Sequence, residues 1–118
     1  MLAAANRLCD RRDFQQVARR GHRSGRDCLV VQLFAGADRT DQPRVGFVVG
    51  RAVGGAVVRN QVKRRLRHHV RPHLDRLPAG SMLVVRANPT AATCSSATLA
   101  AELDRGLGKV LRRVGGDQ

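Results

Sequence analysis

The chain has 118 residues, 42% of them hydrophobic, with a net charge of +13 at pH 7 and a pI of about 11.7. This is too apolar for a disordered basic tail and enough for a modest core, so we expect one domain over residues 1–118. No apolar run approaches the roughly 20 residues of a spanning helix, and the N-terminus lacks a signal-peptide pattern, so the charge points to nucleic acid rather than a membrane.

The first predicted element is a short helix. Asp10 can cap it, since its side chain can accept a hydrogen bond from the first turn. Phe14 and Val17 follow at helical spacing, and Gly21 can end the helix. The sequence therefore predicts a helix over residues 11–20.

A loose basic lead-in is expected over residues 1–9, before this helix. Two strands are expected after the helix. A second basic patch follows the helix and contains Arg19, Arg20, Arg23 and Arg26. Residues 28–34 and 44–49 are short runs of β-branched and bulky side chains, typical of strands. The polar stretch 36–42 between them is expected to be a loop, so the pair resembles an antiparallel hairpin.

The stretch 56–71 carries two different faces. Val58, Val62, Leu66 and Val70 recur every four residues and form one apolar stripe of a helix. The opposite face carries Asn60, Arg64, Arg67 and Arg71, with Lys63 at its edge. A solvated face normally mixes charges, yet the sequence has no acidic residue here. Because like charges at i,i+4 repel by a few tenths of a kcal/mol, this face is expected to meet a polyanion.

A glycine-containing turn over residues 50–55 precedes this helix. Its spacing does not fit a nucleotide-binding loop. Two roles stay open: the turn leads the chain into the helix, or it brings Arg51 and backbone N–H groups near phosphate. Pro72 disfavours further helix at the other end.

The C-terminal part predicts a strand over residues 81–87 and a last helix. Ser95 or Ser96 can cap that helix, and Leu99, Leu103 and Leu107 begin its apolar stripe. We expect an α+β fold: a compact α/β sandwich with a mostly antiparallel sheet of about four strands and three helices, in the order αβββαβα.

These residues resemble the bacterial ribonuclease P protein subunit. The signature is carried by Arg51, Gly54, Ala56, Val57, Arg59, Asn60, Lys63, Arg64 and Arg67. Asp13 and Phe14, then Gly21, the 44–49 strand and the 84–87 segment stand in the same order and spacing. The resemblance covers nearly the whole chain, and it implies a left-handed crossover from the second long strand through the basic helix to the third.

The resemblance also implies a function. The chain would be the protein subunit of a ribonucleoprotein whose RNA cleaves precursor tRNA at its 5′ end with Mg²⁺ held by RNA; this chain would supply no catalytic residue and no metal ligand. The residues expected to bind the catalytic RNA are Arg51, Arg59, Asn60, Lys63, Arg64, Arg67 and Arg71. The cleft expected to hold the 5′ leader contains Phe14, Gln32 and Arg86. Ala18 and Gln32 stand where the family usually has aromatic residues, which weakens base stacking by about 1–3 kcal/mol for each lost ring.

Other readings of the sequence are weaker. Cys9, Cys28 and Cys94 are odd in number and widely spaced, which argues against a disulfide framework and a zinc site and favours a reducing cytoplasm. His69 and His73 have metal-ligand spacing, but no further ligand is apparent. The alternatives are a general RNA-binding or ribosomal-type protein without a role in cleavage, and a metal-dependent nuclease. No membrane or protein partner is expected.

Overall fold

The computed structural model describes residues 6–35 and 42–116, with side chains up to Val114. Within these ranges, three α-helices and four strands follow in the order αβββαβα. Their bounds are α1 Arg11–Arg20, β1 His22–Gly25, β2 Leu29–Ala35, β3 Arg44–Val48, α2 Ala56–Val70, β4 Ser81–Ala87 and α3 Ser96–Gly116. Short 3-10 helices at Arg71–Arg76 and Pro89–Ala92 precede β4 and α3.

The four described strands form one sheet in the order β1-β2-β4-β3. The β1–β2 and β2–β4 pairs are antiparallel, and β3 pairs with β4 in parallel. The expected hairpin of β2 with β3 is therefore wrong, because β4 lies between these two strands. A parallel pair needs a long connection, and α2 provides it. The predicted α+β class and element order are therefore confirmed, while the left-handed sense of the crossover stays a prediction.

The helices cover opposite faces of the sheet. On one face, α2 and α3 bury the larger apolar cluster, which includes Val31, Leu33, Val62, Leu66, Leu83, Leu103 and Leu107. On the other face, α1 buries Val17 against Met82 and Val84. Each fully buried side chain of this size contributes about 1.5–3 kcal/mol of hydrophobic free energy, so these two clusters fix where α1 and α2 lie.

The predicted bounds agree closely with the structure for α1, α2 and β4. The strand that the sequence did not locate is β1, His22–Gly25. Its residues lack apolar alternation, because only Ser24 of the four is buried. The strand forms because its backbone pairs with β2, with Ser24 opposite Val31, and such pairing leaves little trace in side-chain pattern.

The expectation against a disulfide is wrong. Cys28, just before β2, forms a disulfide with Cys94, which lies before α3. The two residues are 66 positions apart, so sequence spacing gives no sign that folding brings them together. Cys9 is free and exposed.

The lead-in is not loose over its last four residues. The N–H of Leu8 donates to the carbonyl of Val45 at 2.9 Å, and the Asn6 side chain donates to the carbonyl of Pro43 at 2.8 Å. Leu8 is buried in the cluster beneath α1. Residues 6–9 therefore run alongside β3, whereas residues 1–5 lie outside the described part of the chain.

Among the described helices, none combines the length and the apolar content that a membrane crossing needs.

Candidate nucleic-acid interface

Helix α2 presents its charged side outward because its apolar stripe is buried. Val62, Leu66 and Val70 are at most 2% exposed, and Val58 packs against the same cluster. Most side chains on the opposite side are exposed. The stripe predicted from the four-residue repeat is confirmed.

The outward side of α2, together with Arg51 in the preceding turn, is called the basic face below. It consists of Arg51, Arg59, Asn60, Lys63, Arg64, Arg67 and Arg71. All are exposed except Arg59 and Lys63, which are half-buried. The two ion pairs found in the described part of the chain, Arg44 with Asp13 and Arg76 with Asp104, lie elsewhere. The six cations of the basic face therefore lack a carboxylate partner among the described residues.

The start of α2 adds to this positive character. Gly55 occupies the N-cap position and offers no side-chain acceptor, and no acidic residue lies in the first turn. The unpaired N–H groups of a helix N-terminus carry a partial positive charge. An anion approaching the basic face near Arg51 would therefore meet backbone donors as well as guanidinium groups.

A groove of about 340 Å³ opens between the N-terminal segment, α1, β3 and α2. We call it the Phe14 groove. Its apolar wall includes Leu8, Phe14 and Phe47, and its charged wall includes Lys63 and Arg67 of the basic face. One continuous surface therefore joins an aromatic ring to two of the predicted phosphate-binding cations.

Helix α1 is fixed over β3 by a cap, an ion pair and a close contact. The Asp10 carboxylate accepts from the N–H of Arg12 at 2.9 Å and caps the helix, as predicted. The Arg44 guanidinium bonds to the Asp13 carboxylate at 3.0 Å. Phe14 then lies against Gly46, where the absence of a side chain leaves room for the ring.

The other two predicted cleft residues share the sheet face that α1 covers but do not line the Phe14 groove. Gln32 pairs with Val84, which packs under α1, so Gln32 faces the same way. It is 6% exposed, and its Oε1 has no hydrogen-bond partner among the described residues. Arg86 lies two residues beyond Val84 and is exposed. Ala18 is exposed on α1.

Sequence reasoning missed three contributors to the Phe14 groove. Arg7 and Cys9 line it from the N-terminal segment, which the sequence had left loose. Gly46 shapes it by accommodating Phe14. A glycine inside an otherwise apolar strand is a signal of close approach by another group, so Gly46 could have been found, whereas Arg7 and Cys9 depend on backbone pairing with β3.

The histidines near the end of α2 make separate contacts. His69 Nε2 lies 2.8 Å from Ser96 Oγ, and His73 Nδ1 lies 3.0 Å from a guanidinium nitrogen of Arg76. Burial, and next the neighbouring His68, lowers the pKa of His69 below its ordinary value. Over the described residues, no three His, Cys, Asp or Glu side chains converge in a way that could hold a metal ion.

Comparison with known sequences gives a consistent result. The family model described as Ribonuclease P matches residues 2–111. The chain is 56% identical to the ribonuclease P protein component of Nocardioides sp. over 98% of this chain and 100% of that protein. It is 52% identical to that of Streptomyces bikiniensis over 94% of this chain and 96% of that protein.

Solved structures resemble the fold over nearly its whole length. The RNase P protein of Staphylococcus aureus superposes with a TM-score of 0.78 at 27% identity, covering 91% of this chain and 98% of that one. The RNase P protein of Thermotoga maritima superposes with a TM-score of 0.70 at 29% identity, covering 90% and 96%.

Proposed function

Since the chain belongs to the ribonuclease P protein family and is thus a protein component of the endoribonuclease that processes tRNA, we propose that its basic face binds the RNA subunit of that enzyme. We further propose that the Phe14 groove holds the single-stranded 5′ leader of precursor tRNA. The whole chain would act as one RNA-binding domain in the cytoplasm.

The basic face suits a structured RNA for electrostatic reasons. Each guanidinium that meets a phosphate releases condensed counterions, which drives binding at low salt. Arginine also presents a planar fork of donors that matches two phosphate oxygens. Since no described carboxylate competes for these groups, their donors are available for RNA.

One observation carries the second part of the proposal: Phe14 lines the same groove as Lys63 and Arg67. Single-stranded RNA is generally held by stacking of bases on aromatic rings and by cations along its backbone. An RNA strand leaving the basic face would enter this groove directly. Mature tRNA lacks the leader, so contacts made here favour precursor over product.

Gln32 and Arg86 would extend the leader contact along the α1 side of the sheet. The Gln32 Oε1 is buried without a described hydrogen-bond partner, so Gln32 would shape the surface beneath the leader rather than bond to a base. Arg86 is exposed and would meet a phosphate. Neither residue replaces an aromatic platform, so we expect stacking to depend mainly on Phe14.

We assign the chemistry to the RNA partner. The described residues offer no converging set of carboxylates or histidines that fits Mg²⁺, so we place the ions on RNA, where they would activate water and stabilise the leaving oxygen. The protein's own residues would bind and orient the RNA strands.

Rescue of cleavage tests the proposal. The RNA subunit is mixed with precursor tRNA at a Mg²⁺ concentration too low for activity by RNA alone, and this protein is added. We expect cleavage at the mature 5′ end to be restored. Binding without restored cleavage would favour a general RNA-binding protein, and cleavage by protein without RNA would indicate a nuclease site in this chain.

A further inference from the structure

A second positive groove, of about 290 Å³, lies along α3. We call it the α3 groove; its charged residues are Arg26, Arg76, Asp104, Arg105, Lys109 and Arg112. It shares no residue with the basic face or with the Phe14 groove. Because α1 and α3 cover opposite faces of the sheet, an RNA strand lying on Phe14 does not lead into it.

Three of these cations form a row on the exposed side of α3. Arg105, Lys109 and Arg112 are spaced four and three residues apart and are all exposed. The other side of the helix is anchored by Leu103, Leu107 and Val110, which are fully buried. The row spans about 10 Å along the helix axis at 1.5 Å per residue, so it is longer than a single small anion.

A fourth cation converges on this row from another element. Arg76, in the 3-10 helix after α2, and Arg112 both approach Gly108: their guanidinium nitrogens lie 3.9 and 3.8 Å from the position a side-chain carbon would take there. Folding thus brings two positive groups to the same glycine. Such like-charge approach costs free energy, and an anion between the two groups would offset it.

The acidic residue in the groove does not neutralise the cluster. Asp104 pairs with Arg76 at 3.0 Å and thereby positions it. Among the described residues, no carboxylate pairs with Arg105, Lys109 or Arg112. Arg26 lies at the groove edge, and its Nε is buried without a described hydrogen-bond partner. Five cations therefore surround one carboxylate.

We propose that the α3 groove binds the phosphodiester backbone of a second segment of the RNA subunit, distinct from the segment on the basic face. The extended row fits consecutive phosphates, and the guanidinium groups of Arg76 and Arg112, which both approach Gly108, add donors that match phosphate oxygens. The inference rests on the proposed function, in which the protein binds that RNA. It adds a contact on the side of the molecule opposite the leader.

The test compares three variants of this protein for affinity to the RNA subunit transcript over a salt series; the first two each remove three charges and the third removes two. The first carries Arg105→Gln, Lys109→Gln and Arg112→Gln. The second carries Arg11→Gln, Arg12→Gln and Arg20→Gln, which remove three exposed charges from α1. The third carries Arg64→Gln and Arg67→Gln on the basic face.

We expect the α3 triple variant to flatten the slope of log affinity against log salt by about 2–3, at roughly 0.7–0.9 per phosphate contact. The α1 variant should change the slope far less. The α3 variant should keep the wild-type preference for precursor over mature tRNA. The three α3 side chains are exposed, so the fold should hold; single substitutions, each flattening the slope by about 0.7–0.9, keep the test valid if the triple variant unfolds.

The outcomes separate the two proposals. If the α3 variant binds RNA like the wild type, or no more weakly than the α1 variant, the α3 groove is not an RNA site. If the basic-face variant is weakened in the same experiment, the proposed function stands without it. If neither variant is weakened, both proposals fail.

Discussion

Phe14 lies directly against the backbone of Gly46. A side-chain carbon built on Gly46 would come within 2.4 Å of Cζ and 2.5 Å of Cε1 of the ring. The ring therefore occupies the volume that any larger residue at position 46 would need. This contact sets how deeply the aromatic ring of α1 sits at the wall of the Phe14 groove.

The first prediction concerns Gly46→Ala. The added methyl group must displace the Phe14 ring, and overpacking of this kind typically costs about 1–3 kcal/mol. Urea unfolding should show that loss, and binding of precursor tRNA should weaken with it. In a protein that already carries Phe14→Ala, Gly46→Ala should cost much less stability. An unchanged cost would show that the added methyl group does not contact the Phe14 ring.

The second prediction concerns Phe14→Ala itself. Loss of one stacking ring should weaken precursor tRNA binding by about 1–3 kcal/mol and leave mature tRNA binding unchanged, measured by filter binding to the assembled holoenzyme. Phe34→Ala is the matched control, because Phe34 packs under α1 outside the Phe14 groove. Equal losses for precursor and mature tRNA would remove Phe14 from the leader contact.

The third prediction concerns the Cys28–Cys94 bond. Closing a loop of this length should stabilise the oxidised protein by about 2–4 kcal/mol over Cys94→Ser. Urea unfolding with and without reductant measures this, and reductant should remove most of the difference. Under reducing conditions we expect the two thiols to be free, so the effect belongs to the oxidised protein. Stability that is insensitive to reductant would contradict the pairing.

The fourth prediction concerns pH. Because burial and His68 lower the pKa of His69 below 6.5, the unfolded chain takes up this proton at higher pH than the folded one. Stability is therefore lost as pH falls through 6.5 towards the lowered pKa. Between about pH 7 and 5, the urea midpoint should fall more steeply for the wild type than for His69→Gln, which can still hydrogen-bond Ser96. Parallel curves would rule out this contribution.

Much of the fold could be predicted because its main elements carry strong local patterns. The four-residue repeat that begins at Val58 showed both the length of α2 and its buried side. Asp10 also marked the start of α1, because a helix cap is a hydrogen bond between residues close in sequence. The element order followed from such signals and from the family resemblance.

The rest could not be predicted because it depends on contacts distant in sequence. Strand β1 is held by backbone pairing with β2, which side-chain pattern hardly records. Cys28 bonds to Cys94, and Arg76 and Arg112 both approach Gly108, although these residues are far apart in the sequence. Charge composition alone could not separate the α3 groove from the basic face.

The measurement that tests the central claim most directly is the salt dependence of binding between this protein and the RNA subunit, for the wild type, Arg64→Ala and Arg67→Ala. Each substitution should flatten the slope of log affinity against log salt by about 0.7–0.9, while Arg12→Ala, an exposed charge on α1, should not. Wild-type affinity and slope in both basic-face variants would contradict the assignment of α2 as the RNA-binding element.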